Sequence, residues 1–211
     1  MTEEAKEKVL LAVMAVTAGQ DAMRPTLTGV CREVHPGVTR YVSTTGRVLA
    51  LAEVSNACAE AQEPVTLDKF GRVRPDWIYP RYASVLPHDS FFCANLEFAR
   101  LQGTLKGRVT KKGLINTKAF SAGQQFVLQS EKGTVRIDPV AVRMAMTQLD
   151  MLAAMDAPPA GTVQLYCAGG NSCNLCFFAF SEEVQWRFIC VALFEAPQEG
   201  DYDLFTGEVW Q

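Results

Sequence analysis

Two stretches of the chain carry apolar residues at the spacing of a helix. In the first, Val9, Val13 and Val16 recur every three or four residues after Thr2, and this period indicates an amphipathic helix. Thr2 is a preferred N-cap residue, and the glutamates that follow it suit the positive end of a helix dipole. Gly19 is predicted to end the helix, because glycine is common just past a helix C-terminus.

The second helical stretch begins at Asp138 and Pro139. Asp is favoured as an N-cap, and Pro is favoured at the first helical position. Apolar residues that include Met144 and Met151 then form a stripe along one side. The two prolines at 158–159 are predicted to close this helix.

After the first helix the apolar period changes to two residues, which is typical of strands. Strands are predicted over residues 27–33, 40–43 and 48–54. The residues at 35–37 and at 44–46 supply turn chemistry between them.

The middle of the chain is less regular. Residues 55–61 fit either a short helix or a loop, and four prolines between positions 64 and 87 exclude a long helix there. Residues 98–133 are rich in Gly, Lys and Thr, which predicts strands with tight turns. Three more strands are predicted after the second helix, over residues 162–166, 175–180 and 186–194, with a turn at 169–171.

This order of elements predicts an α+β fold with antiparallel sheet, because strands follow strands rather than alternating with helices. The 211 residues are enough for one large domain or two small ones. We expect a single domain over residues 1–211. Its first half covers about 1–60, a connecting segment about 61–95, its second half about 96–195, and a C-terminal tail 196–211.

Composition and charge narrow the class of protein. Apolar residues make up 48% of the chain and the formal net charge is −3, so the total gives no support for nucleic-acid binding, which favours a basic surplus. Basic residues between 106 and 118 fit either a phosphate contact or a solvated loop. The apolar run at 9–16 is too short to cross a bilayer, and the glutamates before it exclude a signal peptide.

An odd number of cysteines argues against a disulfide framework and for a reducing, cytoplasmic setting. The seven are Cys31, Cys58, Cys93, Cys167, Cys173, Cys176 and Cys190. The Cys173-x-x-Cys176 pair has metal or redox spacing, but zinc requires four ligands and a strand would send these two thiols to opposite faces. A core role is therefore favoured for both.

The sequence contains no recognisable catalytic constellation. His35 lies in a predicted turn and His88 follows a proline, and neither has sequence neighbours that would form a triad or a metal site. We therefore expect a protein that is not an enzyme and that needs no cofactor and no metal.

Four segments resemble the bacterial DNA polymerase III beta subunit, the sliding clamp, in the family's own order. Residues 24–30, Arg-Pro-Thr-Leu-Thr-Gly-Val, are similar to the family's Arg-Pro-x-Leu-x-Gly-Val. Residues 42–50 are similar to its Val-Ala-Thr-Asp-Gly-His-Arg-Leu-Ala, and residues 79–87, Tyr-Pro-Arg-Tyr-Ala-Ser-Val-Leu-Pro, are the most specific match. Residues 187–194 stand where the family has a strand closing in Val-Met-Pro-Met.

The resemblance implies a clamp fold shortened to about one clamp domain, built from two helix-plus-strands halves. In the family such halves form a groove that holds short peptide motifs ending in Leu-Phe, and replication proteins carry these motifs. The implied peptide-binding residues are Thr44, Gly46, Arg47, Val48, Leu49, Pro80, Val85, Cys173, Leu175, Val191, Ala192 and Leu193. Thr45, Val48 and Ala192 depart from the family's Asp, Arg and Pro, and Val191 and Leu193 stand at its two Met positions.

DNA contact is implied more weakly. The family's helices carry basic residues toward DNA, and the matching positions here are Arg24, Lys6, Lys8 and Arg143. Glutamates accompany both lysines. A ring needs about six such domains, so a ring built from this chain would be a homo-oligomer.

Residues 201–205, Asp-Tyr-Asp-Leu-Phe, resemble the motif that clamps bind. They fit two interpretations. The tail could occupy a peptide pocket of its own or a neighbouring chain, or Leu204, Phe205 and Trp210 could cover the core, which we favour. The resemblance implies a non-enzymatic accessory factor that binds replication or repair peptides; the alternative is a clamp-fold structural or regulatory subunit without DNA or peptide binding.

Overall fold

The structure is a computed structural model that describes residues 1–19, 23–83, 86, 90–97, 123–130, 133–155, 162–168, 172–204, 206 and 208–211, with the backbone alone described at 90–97, 130, 162–168 and 172–173. The helices are α1 (Glu3–Ala15), a 3-10 helix (Pro25–Thr28) and α2 (Pro139–Leu152). The strands are β1 (Val30–His35), β2 (Val38–Thr44), β3 (Val48–Ser55), β4 (Gln62–Leu67), β5 (Ser90–Glu97), β6 (Phe126–Ser130), β7 (Gly133–Ile137), β8 (Thr162–Ala168), β9 (Ser172–Phe180), β10 (Val184–Phe194) and β11 (Tyr202–Asp203).

The chain divides into two compact units. The first comprises Met1–Leu86, Gln148–Ala160 and Phe178–Ile189, and the second comprises Pro87–Thr147, Gly161–Phe177 and Cys190–Gln211. Consequently α2, β9 and β10 each contribute residues to both units. No helix among the described residues is long and apolar enough to span a membrane.

Helix α1 begins where its sequence predicts. The Thr2 hydroxyl accepts a hydrogen bond from the Ala5 N–H at 3.3 Å, which satisfies one of the N–H groups that the first turn leaves unpaired. Leu10, Val13 and Met14 form its buried side. The predicted amphipathic helix is therefore confirmed.

The end of α1 differs from the prediction. The helix stops at Ala15, before Gly19, and its last turn tightens as the Thr17 N–H donates to the Met14 carbonyl at 3.0 Å. Such short-range bonds are a common way to satisfy the last carbonyls of a helix. The Gly19 N–H donates instead to the Leu27 carbonyl at 2.6 Å, so this glycine bonds to the 3-10 helix rather than capping α1.

In the first unit, strands β1 to β4 form an antiparallel meander in the order β4-β1-β2-β3. The first strand begins at Val30 and not at residue 27, because Pro25–Thr28 forms the 3-10 helix. Proline suits the first position of such a turn, and the Thr28 hydroxyl donates to the Pro25 carbonyl at 2.6 Å. The other two predicted strands of this region are confirmed.

Strand β4 was not predicted, and it contains Pro64, a residue type that is rare inside a sheet. It lies at the end of the strand order, where it pairs with β1, and an edge position tolerates a residue that cannot donate to a ladder. The alternatives for residues 55–61 resolve to a loop.

A chain of buried hydrogen bonds fixes the core of the first unit. The Gln148 amide N–H2 donates to the Val13 carbonyl and to the Thr17 hydroxyl, both at 2.9 Å. Its amide oxygen accepts from the Trp186 indole N–H at 2.9 Å, and Thr17 shares a hydrogen bond with Ser43. These side chains are fully buried, and burial is tolerable because each of them has a hydrogen-bond partner.

In the second unit, the described strands follow the order β11-β6-β7-β10, and β5 pairs with β8. Helix α2 begins at Pro139 as predicted, with the Asp138 carboxylate accepting the Val140 N–H at 2.8 Å. The three late strands are confirmed as β8, β9 and β10. The predicted turns within 98–122 and at 169–171, and the closing prolines 158–159, lie outside the described residues.

The α+β fold class is confirmed. Among the described strands, the pairings with a defined register are antiparallel except between β11 and β6, which run parallel. That exception comes from the tail, whose pairing the local sequence pattern did not predict.

Candidate functional site

The turn between β2 and β3 carries five of the implied peptide-binding residues. The Thr44 hydroxyl accepts the Gly46 N–H at 2.9 Å and donates to the Val48 carbonyl at 2.6 Å, while the Thr45 hydroxyl accepts the Arg47 N–H at 3.2 Å. Gly46 has a φ of +87°, which a residue without a side chain adopts freely. The turn therefore has one defined shape, set by two threonine hydroxyls and one glycine.

Only part of this turn is accessible. Gly46 and Arg47 are exposed, whereas Thr44, Val48 and Leu49 are buried. The apolar residues predicted to line a groove from this half therefore belong to buried structure. Arg47 is the side chain here that a partner could reach.

The remaining implied residues have mixed exposure. Pro80 is exposed and Val85 lies outside the described residues. Cys173 is on β9, where its backbone alone is described, and Leu175 on the same strand has no exposed surface. Cys176 is buried, and its thiol donates to the Phe177 carbonyl at 3.5 Å, in line with the core role predicted for it.

The end of β10 presents two apolar side chains to solvent. Val191 is 54% exposed and Leu193 is 36% exposed, while Ala192 between them is buried. Residues two apart on a strand share a face, so Val191 and Leu193 form one apolar strip. Two exposed, neighbouring aliphatic residues at a strand end are available to contact a partner.

Beside this strip, Leu193 pairs in register with Arg136 on β7. The Arg136 guanidinium donates to the Asp201 carboxylate at 2.8 Å and 3.2 Å and to Glu195 at 2.9 Å. The hydrogen bond to Asp201 is the main cause that raises the pKa of Arg136. This cation is fully engaged and contributes to structure rather than to ligand binding.

The tail packs into the second unit. Strand β11 pairs parallel with β6, the Leu204 N–H donates to the Val127 carbonyl at 2.8 Å, and Leu204 has no exposed surface. The favoured interpretation, that Leu204 covers the core, is confirmed. Leu204 is therefore not available to occupy a peptide pocket of a neighbouring chain. Trp210 is half-buried, and Phe205 lies outside the described residues.

The residues implied for DNA contact do not form a basic lining in the described part of the chain. Lys6 contacts Glu183 at 2.9 Å, and Lys8 contacts Glu4 at 2.6 Å. Carboxylates thus neutralise both lysines of α1. Arg24 is exposed beside the Gly46 turn, and Arg143 on α2 is half-buried.

No group of three or more His, Cys, Asp and Glu side chains in the described ranges is placed to hold a metal ion. The His35 imidazole lies 3.5 Å from the Glu33 carboxylate at the end of β1. His88, like the basic residues at 106–118, lies outside the described residues.

The described residues form an α+β fold of mostly antiparallel strands with two α-helices. Among solved structures, the chain is similar to bacterial DNA polymerase sliding clamps. A Pseudomonas aeruginosa sliding clamp with a bound ligand is 13% identical, with a TM-score of 0.65 over 90% of this chain and 64% of that one. The Thermotoga maritima DNA polymerase III beta subunit is 14% identical, with a TM-score of 0.64 over 92% and 65%.

A Helicobacter pylori beta clamp bound to a DNA ligase peptide is 11% identical, with a TM-score of 0.60 over 88% of this chain and 63% of that one. The chain thus spans less than two thirds of the length of these clamps. No protein-family model matches the sequence, and the comparison with curated proteins gives no match. At this identity the likeness establishes the sliding-clamp fold.

Proposed function

We propose that the chain is a non-enzymatic, clamp-like accessory protein that binds short peptide motifs of DNA replication or repair proteins. The fold supports this function, since a clamp of the same fold has been solved with a DNA ligase peptide. The observation that carries the proposal is the exposed apolar strip of Val191 and Leu193 on β10. These residues stand where the clamp family has its two methionines.

The strip has the chemistry that a Leu-Phe motif requires. Covering one aliphatic side chain of this size contributes about 1.5–3 kcal/mol. Arg47, which is exposed on a turn of fixed shape, is the second predicted contributor.

A peptide that ends in Leu-Phe, labelled at its other end, tests the proposal by fluorescence anisotropy. Val191→Ser and Leu193→Ser should each weaken binding about tenfold. Each removes apolar contact with the peptide, and the binding free energy falls by roughly 1.4 kcal/mol. Val140→Ser is the matched control, since Val140 is 46% exposed on α2 and should leave affinity unchanged. Equal affinity for the wild type and the Leu193→Ser variant would reject the strip as the binding site.

The alternative function is a clamp-fold structural or regulatory subunit that has lost peptide binding. The burial of Val48, Leu49, Leu175 and Ala192 favours it, because these predicted groove residues offer little surface to a ligand. Failure of the wild type to bind the peptide would support this alternative. A solution mass measured with and without DNA then shows whether the protein assembles and whether DNA drives assembly.

A further inference from the structure

The loop after β4 brings aromatic rings and basic groups together at the surface of the first unit. Phe70 is 70% exposed. The Lys69 ammonium lies 5.1 Å from the centre of its ring, and the Arg72 guanidinium lies 5.0 Å from it. Arg74 lies 4.4 Å from the ring of Trp77 in the same way. We call residues 69–77 the aromatic–basic loop.

One end of the aromatic–basic loop is fixed by Asp68. Its carboxylate accepts the Phe70 N–H at 2.9 Å, the Arg72 N–H at 3.0 Å and the Arg72 side chain at 2.9 Å. Although burial alone would raise the pKa of Asp68, these hydrogen bonds hold it below its usual value. Gly71 completes the turn with a φ of +78°, which places Phe70 at its tip.

The other end of the loop is fixed against the sheet. The Arg74 N–H donates to the Thr66 carbonyl at 2.8 Å, and the Thr66 hydroxyl donates to the Trp77 carbonyl at 2.8 Å. A side chain at Gly29 would approach the Trp77 ring to 3.1 Å and the Leu67 carbonyl to 2.7 Å. The loop therefore holds one shape without any contribution from Phe70, whose exposure serves no packing need.

The charge that this loop presents outward is positive. Asp68 is buried, and both of its carboxylate oxygens already accept hydrogen bonds. The Arg72 side chain, in contrast, is 70% exposed. Asp76 offsets Arg74 at 3.7 Å, and Asp68 offsets Arg72 at 2.9 Å. Lys69 is therefore the cation beside the Phe70 ring that has no carboxylate partner among the described residues, and the exposed part of the Arg72 guanidinium lies next to it. An open cleft of about 510 Å³ lies beside them, lined also by Ala15, Ala18, Gly19 and Thr28.

We propose that the aromatic–basic loop binds single-stranded nucleic acid, with a base stacked against Phe70 and its flanking guanidinium and with phosphates contacted by Lys69 and Arg72. Rings interleaved with cations are the combination that sequence-tolerant binding of single strands uses. An acidic peptide would need the cations alone and would leave the exposed ring without a role. A duplex would hide its bases from the ring. This site lies wholly in the first unit and does not depend on peptide binding by β10.

The test is anisotropy of labelled dT12 and rU12 with the full chain at low and at physiological salt. Stacking on one ring predicts that Phe70→Ala weakens binding about five- to hundredfold, whereas Phe70→Tyr keeps a ring and should restore it. Lys69→Gln and Arg72→Gln should each lower the slope of log affinity against log salt by about 0.7, the value for one phosphate contact on a single strand. Phe180→Ala, which removes a ring that is 50% exposed on β9, is the matched control.

Three outcomes would overturn the proposal. They are an undiminished affinity in Phe70→Ala, a wild type that binds neither oligonucleotide at low salt, and a poly-glutamate peptide or a duplex of equal length bound as tightly as dT12. Binding of either dT12 or rU12 through Phe70 supports it, and their relative affinity shows which backbone the site prefers. Because Phe70 lies at an exposed turn tip, its replacement leaves the fold intact, which circular dichroism checks.

Discussion

Arg136 and Asp201 stand 65 residues apart in the sequence and are joined by two hydrogen bonds of 2.8 Å and 3.2 Å. Their side chains are 5% and 1% exposed. Asp201 also accepts the backbone N–H groups of Gln125 and Gln198, both at 2.9 Å. This single carboxylate thus ties the C-terminal tail to β7 and to the segment before β6.

Removing one partner of this pair should destabilise the second unit. Asp201→Asn is expected to lower its free energy of unfolding by about 3 kcal/mol, because the guanidinium keeps its burial and loses its counter-charge. Asp203→Asn is the matched control, since Asp203 is half-buried on the same tail and an Asn oxygen can still accept the Thr206 N–H. Urea unfolding measures both, and an equal loss in the two variants would contradict the role given to Asp201.

The pH dependence of stability should carry the signature of the same carboxylate. Burial acts to raise the pKa of Asp201, but the hydrogen bonds from Arg136, Gln198 and Gln125 hold it below the ordinary value of 3.8. A lowered pKa means stability that is complete above about pH 4 and is lost as the pH falls through the folded-state value. Urea midpoints between pH 2 and pH 6 should show a smaller acid loss in Asp201→Asn than in the wild type. Parallel curves would refute this assignment.

The Gln148 amide should be indispensable to the core of the first unit. Gln148→Leu has a similar volume but leaves the buried Trp186 indole N–H without its partner, at about 1–3 kcal/mol. It also removes one of two hydrogen bonds to the Val13 carbonyl, which keeps the bond from the Val16 N–H. We expect a loss of at least about 2 kcal/mol in thermal or urea unfolding followed by tryptophan fluorescence. Gln185→Leu, at an exposed position of β10, should change stability by less than about 0.5 kcal/mol.

The β2–β3 turn should tolerate Gly46 replacements according to their left-handed propensity. Gly46→Ala is expected to cost about 1–2 kcal/mol, because a Cβ penalises the φ of +87°. Gly46→Asn should cost less, since asparagine visits this region more readily. Steric clash does not explain the difference in stability between the two variants. The atom nearest to a Cβ at this position is a guanidinium nitrogen of Arg24 at 3.5 Å, which is an ordinary van der Waals contact. Equal stability of the Ala and Asn variants would argue against backbone strain.

The local sequence predicts best where capping residues and periodicity agree. Both helix starts follow from a capping side chain, Thr2 for α1 and Asp138 for α2. The end of α1 was mispredicted because the Gly19 N–H bonds to Leu27 in the 3-10 helix. Helix-capping rules consider only the helix that ends, so they do not foresee this contact. Strand β4 was missed because its proline is acceptable only at a sheet edge, and edge position is a property of the assembled sheet.

The candidate residues show the same division. The resemblance identified the turn at 44–49 and the end of β10, yet exposure separates Val191 and Leu193 from Val48 and Leu49. All four are aliphatic residues on strands, so alternation alone does not say which face of a given strand meets solvent. The sequence alone did not single out the aromatic–basic loop, because its glycine, proline and charged residues are typical of an ordinary solvated loop.

By itself, the sequence determined the α+β class, most strand positions and the two helix starts, because these depend on short-range periodicity, capping chemistry and turn residues. The likeness to sliding clamps came from the resemblance of four short segments to that family's motifs. The tertiary structure alone decided that Arg136 meets Asp201, that Gln148 joins α1 to Trp186, and that the tail pairs parallel with β6. Each of these is a contact between residues far apart in the chain. In each contact, buried polar groups satisfy one another's hydrogen bonds. These partners meet only once the distant segments have packed.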